Sequence, residues 1–233
     1  MFYNNYMQGG DLSYLIFFFL LPLLIGIFSQ ININSKYKKY SKIGNRQNIT
    51  GSQVANQILN KNNLNHIRVE QTTGKLTDNF NPRDNAIRLS ADVYNSTSIA
   101  ALGIAAHEAG HALQYGKNYS PIKLRNSILP VANIGSQLAF PIAILGYVLT
   151  LPFLIDIGIV LFSFVCLFQL ITLPVEFNAS ARAMKILREE NFLYAEELTG
   201  ARKVLTAAAL TYVASLSVTI LSLLRLLSMR NRR

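Results

Sequence analysis

Hydrophobic residues along this chain fall into long uninterrupted blocks. Leu12 to Phe28 is an uncharged apolar run broken only by Ser13, Pro22 and Gly26, about the length that crosses a bilayer as a helix. It predicts a first membrane span over residues 12–30. A cleaved signal peptide fits less well, because Met1 to Gly10 has no Lys or Arg and no small-x-small site closes the run. Leu129 to Val175 is too long for one span, and Pro152 with Asp156 divides it, which predicts a hairpin of two spans over residues 129–175. Val204 to Leu224 is richer in Ala, Ser and Thr, residues that suit close helix contacts. It predicts a C-terminal hydrophobic helix over residues 204–228, either a fourth span or a helix packed on the soluble part. Arg225 near its end is placed to snorkel to an interface.

The remaining segments, 31–128 and 176–203, have the shorter periods of a soluble domain. Thr50 and Gln53 form a capping-box pattern ahead of Val54, Ile58 and Leu59, which give a short helix one apolar face. His66-Ile-Arg-Val-Glu70 alternates, Thr73-Gly74 is a turn signal, and Ala86-Ile-Arg-Leu-Ser90 alternates again after Asn81-Pro82. These predict a small sheet. Beyond it, Ser98 to Leu113 has no proline and is apolar around most of its circumference, which predicts a buried helix. The expected fold class is a mainly α multi-pass membrane protein with a helical domain containing a small β-sheet.

Composition and charge agree with this division. Of 233 residues, 51% are hydrophobic, with 22 Lys and Arg against 12 Asp and Glu. Residues 31–128 have 13 Lys and Arg against 5 Asp and Glu, which is +8 of the chain's +10. Lys36, Lys38, Lys39, Lys42 and Arg46 follow the first span directly, so the positive-inside rule places residues 31–128 in the cytoplasm. Their charge suits anionic lipid headgroups. No nucleic-acid motif accompanies it, which argues against a nucleic-acid partner. With four spans, Arg230, Arg232 and Arg233 would fall outside, against the same rule. The single cysteine, Cys166, excludes an intramolecular disulfide and reads as a small packing residue. The sequons at Asn48, Asn95 and Asn118 read as accidents of an Asn-rich chain.

The predicted buried helix carries His107-Glu-Ala-Gly-His111, two of the chain's three histidines in one HExxH pattern. Four residues turn a helix by about 400° and raise it roughly 6 Å, so both imidazoles lie on one face, one turn apart. Glu108 stands about 100° round from His107 and can reach a water without being a ligand. HExxH also occurs in proteins that bind no metal. In so apolar a helix, however, two histidines and a carboxylate left unpaired would be costly, and one zinc ion satisfies them. Histidines and a carboxylate around an open position suit zinc among divalent metals.

A catalytic zinc takes three protein ligands. Gln114 and Lys117 stand where HExxHxxGxxH requires Gly and His, so the chain is no metzincin. No histidine follows, and His66 reads as an exposed strand residue. The third ligand is therefore a carboxylate, from Asp156, Glu176, Glu189, Glu190, Glu196 or Glu197. Glu176 is the best placed, because it opens a helix after Pro174 as the hairpin returns from the membrane; an acid complementing that helix's dipole is the competing reading.

Leu89-Ser90, Val93-Tyr94, Ala105-Ala-His-Glu-Ala-Gly-His-Ala-Leu-Gln114, Leu173-Pro-Val-Glu-Phe-Asn-Ala-Ser-Ala-Arg-Ala183 and Gly200-Ala-Arg-Lys-Val-Leu-Thr-Ala-Ala-Ala-Leu-Thr-Tyr-Val-Ala214 together resemble the YugP-like family of neutral zinc metallopeptidases of bacterial membranes. The resemblance spans nearly the whole chain. It implies an integral membrane gluzincin-type peptidase with His107, His111 and Glu176 as ligands, Glu108 as base, and a protein or peptide as substrate. Glu-x-x-Ala-Ser-x-x-Ala is also similar to the Glu-x-x-Ala-Asp-x-x-Ala segment of membrane peptidases that process CAAX or stress-damaged proteins. Ser180 replaces the Asp, leaving a weaker bond to a zinc histidine. At 78–82 this chain has Asp-Asn-Phe-Asn-Pro where the family pattern would have Asp-His-Tyr-Asp-Pro.

The function expected from all this is zinc-dependent peptide hydrolysis at the membrane surface. Arg182 is a candidate to stabilise the oxyanion, with a structural ion pair as the plainer role. Ile87, Arg88, Leu89 and Ser90 are a candidate strand for pairing with an extended substrate, against a purely structural hairpin. Two rivals are a site-2-type intramembrane protease, with HExxH inside a span, and a zinc-stabilised scaffold without turnover. Sequence does not indicate the oligomeric state.

Overall fold

The computed structural model describes residues 12–231; the N-terminal Met1 to Gly10 and the cations Arg232 and Arg233, used above in reading topology, lie outside them. The chain is mainly α-helical, with one three-stranded sheet. Its elements are α1 (Leu12–Tyr40), α2 (Gly51–Lys61), β1 (Arg68–Thr72), β2 (Asn79–Asn81), β3 (Ala86–Ser90), α3 (Ala91–Tyr94), α4 (Ile99–Gly116), α5 (Ser120–Val148), α6 (Pro152–Glu189) and α7 (Ala195–Asn231). Four helices among the described residues, α1, α5, α6 and α7, are long and apolar enough to cross a membrane.

Two compact units are formed. The first comprises the described parts of Met1–Gln30, Leu124–Leu173 and Thr211–Arg233. Its helices turn large apolar side chains outward: Phe28 is 75% exposed and Leu170 55%. Such a surface is untenable in water and natural in lipid. Helices α5 and α6 are separated at Thr150, which takes a left-handed conformation (φ 58°) while Leu151 N–H donates to the Gly146 carbonyl at 2.9 Å. The two helices then pack backbone to backbone, since a Cβ on Gly135 would stand 2.4 Å from the Leu161 carbonyl oxygen. The Arg225 guanidinium lies 4.6 Å from the ring centre of Phe19 and 4.8 Å from that of Phe140. Arg230 Nε donates to Asp156 Oδ1 at 2.8 Å, which gives one of the tail cations a counter-charge.

The second unit comprises Ile31–Lys123 and Pro174–Leu210. Helix α2 opens with the capping box: Thr50 Oγ1 accepts from Gln53 N–H and Gln53 Oε1 from Thr50 N–H. Its buried Val54, Ile58 and Leu59 join Ile87, Leu89 and Leu102 in one core. The sheet order is β1-β3-β2, with β1 parallel to β3 from Arg68↔Ala86 to Thr72↔Ser90 and β2 antiparallel from Asn79↔Arg88 to Asn81↔Ala86.

The candidate substrate strand lies in the middle of this sheet. Ile87, Arg88, Leu89 and Ser90 belong to the central strand, whose backbone is paired to β1 along its length and to β2 at Ala86 to Arg88. On the β2 side, pairing ends at Arg88, so Leu89 and Ser90 have no strand partner there among the described residues. The short strand β2, Asn79-Phe80-Asn81, covers that side of β3 only from Ala86 to Arg88. A correction concerns Glu176. It does not open a helix: α6 runs unbroken through Pro174, and Glu176 sits well inside it. Proline removes one backbone donor, a loss that long apolar helices tolerate.

Helix α4 is almost entirely enclosed, with 14 of its 18 residues buried, and Ser98 Oγ caps it by accepting from Ala101 N–H. Its contacts depend on small side chains. A Cβ on Gly110 would lie 2.8 Å from the Ala179 carbonyl oxygen, so the backbones of α4 and α6 touch at the glycine of the HExxH segment. This contact brings Glu176 and Ser180 of α6 opposite His107 and His111 of α4.

Candidate metal centre

His107 and His111 project from one face of α4, their rings 4.7 Å apart and nearly perpendicular. Their Nε2 atoms are 3.1 Å apart, and Glu176 Oε2 lies 3.2 Å from the first and 3.4 Å from the second. Among the described residues, this is the one cluster of three His, Cys or acidic side chains whose donor atoms converge as metal ligands do. Bonds of about 2.0–2.2 Å to a tetrahedral zinc set ligand atoms roughly 3.3–3.6 Å apart, close to the spacing found. Two nitrogens and one carboxylate oxygen are also a donor set that zinc accepts. The residues therefore fit the ion.

Hydrogen bonds behind the ligands set their orientation. His111 Nδ1 lies 3.0 Å from Gln114 Oε1. The Gln114 amide cannot turn over, because its Nε2 donates to the Val175 carbonyl at 2.7 Å and to Asn178 Oδ1 at 3.0 Å. Oε1 must then face His111, which makes Nδ1 the donor and leaves the Nε2 lone pair for a metal. His107 Nδ1 is 3.1 Å from Ser180 Oγ, one turn along α6 from Glu176.

Glu108 is buried beside this cluster but outside the ligand set. Burial raises its pKa above the ordinary carboxylate value; the positive charge of His107 and His111 opposes that rise, and the negative charge of Glu176 and Asp78 adds to it. A carboxyl shifted upward is better matched to proton exchange near neutral pH.

The other candidates lie further out. Arg182 Nε donates to Asn178 Oδ1 at 2.7 Å, and its guanidinium sits 5.9 Å from the Tyr119 ring centre. It forms no ion pair among the described residues, and two hydrogen-bonding side chains separate it from His111. Each competing carboxylate has a partner elsewhere. Glu189 pairs with Lys185, Glu190 with Lys61, Glu196 with Arg46, and Asp156 with Arg230, while Glu197 accepts from the backbone of Arg46 and Tyr194. His66 is exposed.

Three site residues went unread in the sequence. Gln114 is fully buried and three positions after His111, a spacing that puts both on one helix face. Asn178 was hidden by its distance along the chain. Asp78 accepts from Ser90 N–H at 2.8 Å and from Ser90 Oγ–H at 3.1 Å, fixing the end of β3; burial raises its pKa despite these bonds. Its neighbours serve local structure, with Asn79 Nδ2 bonded to the Thr77 carbonyl and the Phe80 ring against Tyr115.

Fold and site together point to a class: a mainly α-helical membrane protein in which two histidines from one helix and a glutamate from another could hold a metal ion. Residues 14–231 match the family model described as "Putative neutral zinc metallopeptidase", and the chain belongs to that family. It is 44% identical over 213 residues to the "Putative membrane protease YugP" of Bacillus subtilis (strain 168), which covers 91% of this chain and 95% of that protein. No solved structure matches the chain.

Proposed function

We propose that this protein is a membrane-bound zinc metalloendopeptidase that hydrolyses peptide bonds of proteins or peptides at the membrane surface. The observation that carries the reading is the tetrahedral spacing of His107 Nε2, His111 Nε2 and Glu176 Oε2, beside a buried acid that is not a ligand. Those three residues hold one zinc ion. When bound, zinc supplies Lewis-acid activation of water and of the peptide carbonyl. Glu108 takes the proton of the attacking water and passes it to the leaving amine. Ser180 and Gln114 hold the two imidazoles in place throughout, so that only the proton on Glu108 moves.

The basic cluster from Lys36 to Arg46 supports a cytoplasmic catalytic unit facing anionic headgroups. Enclosure of α4 by protein supports a surface peptidase over an intramembrane one. The test compares wild type, Glu176→Ala and Glu108→Gln, purified in detergent, for bound metal by elemental analysis and for chelator-sensitive cleavage of unfolded casein. Wild type is expected to hold one zinc and cleave. Glu176→Ala should lose both properties, and Glu108→Gln should keep zinc while losing about 10²–10⁴-fold in rate. Zinc without cleavage of any substrate in wild type would favour the scaffold.

A further inference from the structure

Helices α6 and α7 enclose a groove of about 470 Å³ whose two ends differ in chemistry. One end is apolar, lined by Phe177, Leu205, Ala209 and Leu210; the other is cationic, lined by Lys185, Arg188 and Arg202. The one carboxylate in its lining, Glu189, pairs with Lys185 at 3.8 Å. Arg188 and Arg202 have no ion-pair partner among the described residues, so the groove presents two uncompensated guanidinium groups. Ser180, whose Oγ lies 3.1 Å from His107 Nδ1, also lines it, so the groove borders His107 on the side of the ring away from Nε2.

We propose that this groove is a substrate subsite, taking an extended peptide segment with apolar side chains at one end and an acidic side chain at the other, paired with Arg188 and Arg202. The inference rests on the peptidase reading and gives it a substrate class. Eleven residues of helix separate Phe177 from Arg188, a rise of about 16 Å, which an extended chain covers in roughly five residues. Charge complementarity selects the acid: a Lys or Arg in that position would meet two unpaired cations. Phe177 and Leu210 are also the groove residues nearest in sequence to the spanning stretches. The matching substrate is a membrane-anchored protein whose flank turns acidic about five residues beyond its apolar part, the opposite of a Lys- and Arg-rich flank.

The test measures binding by full-length protein in detergent, carrying Glu108→Gln to suppress cleavage, using fluorescence anisotropy of two labelled peptides. The peptides share an apolar half and carry either Asp and Glu or Lys in the other half. The acidic peptide is expected to bind about fivefold tighter, and the exposed pair Arg188→Glu with Arg202→Glu to reverse the order. Equal binding of both peptides, or a preference unchanged by the double reversal, overturns the proposal. Binding of short-chain phosphatidylglycerol that the double reversal abolishes, with neither peptide bound, makes the groove a lipid site and overturns it as well. Either failure, alongside intact zinc-dependent casein cleavage by wild type, leaves the peptidase reading standing; absence of that cleavage is what overturns the latter.

Discussion

Helix α4 and the spanning helices α5 and α6 are both strongly apolar, yet they occupy opposite surroundings. The spanning helices are rich in Leu, Ile and Phe and turn many of them outward, as Leu170 and Phe28 of α1 show. Helix α4 consists largely of Ala and Gly, and Ala100, Ala101, Ala105, Ala106, Ala109 and Ala112 are all fully buried. Side-chain size distinguishes the two more sharply than hydrophobicity does. Large residues fill the space beside lipid chains, whereas small ones admit a neighbouring backbone and allow ligands from two helices to meet.

The contrast can be broken by truncating leucines in each region. Leu102→Ala in the core around α4 should cost about 2–5 kcal/mol, read as a clear drop in thermal midpoint in detergent, while Leu170→Ala should cost little. Equal losses would show that Leu170 faces protein. Gln114→Leu keeps the volume but removes the acceptor that fixes His111, and should weaken zinc binding about 10–100-fold in a chelator competition. Unchanged affinity would mean that packing alone orients the ring.

The smallest and sharpest comparison pairs two glycines. Gly110→Ala forces a Cβ against the Ala179 carbonyl and should destabilise by about 1–3 kcal/mol with partial loss of zinc. At Gly26 an added Cβ meets nothing within 4 Å, so Gly26→Ala should be neutral or slightly stabilising through its helix propensity. Thermal unfolding and zinc content of the two variants decide the matter.

Much of this architecture was legible in local patterns. Length and lack of charge marked the apolar blocks, Thr50 with Gln53 marked the start of α2, and HExxH marked the face of α4. The family resemblance, carried by segments around His107, Glu176 and Gly200, agrees with the family to which the chain belongs. What stayed hidden depends on contacts between distant segments. Strand β2 is only three residues, Asn79-Phe80-Asn81, held by pairing to β3, too short for a periodicity to announce it. The continuity of α6 through Pro174 is decided by packing, against local propensity. Gln114 was given no role of its own, because its partners Val175 and Asn178 come more than sixty positions later.

Glu176 follows His111 by 65 residues, and all of α5 is made between them. At about 5–20 residues per second, a growing chain holds its two histidines for several seconds before the third ligand exists. The order of synthesis thus acts as a built-in delay. A nascent chain that has not yet made the second half of its hairpin lacks one of the three side chains that converge in the candidate metal centre.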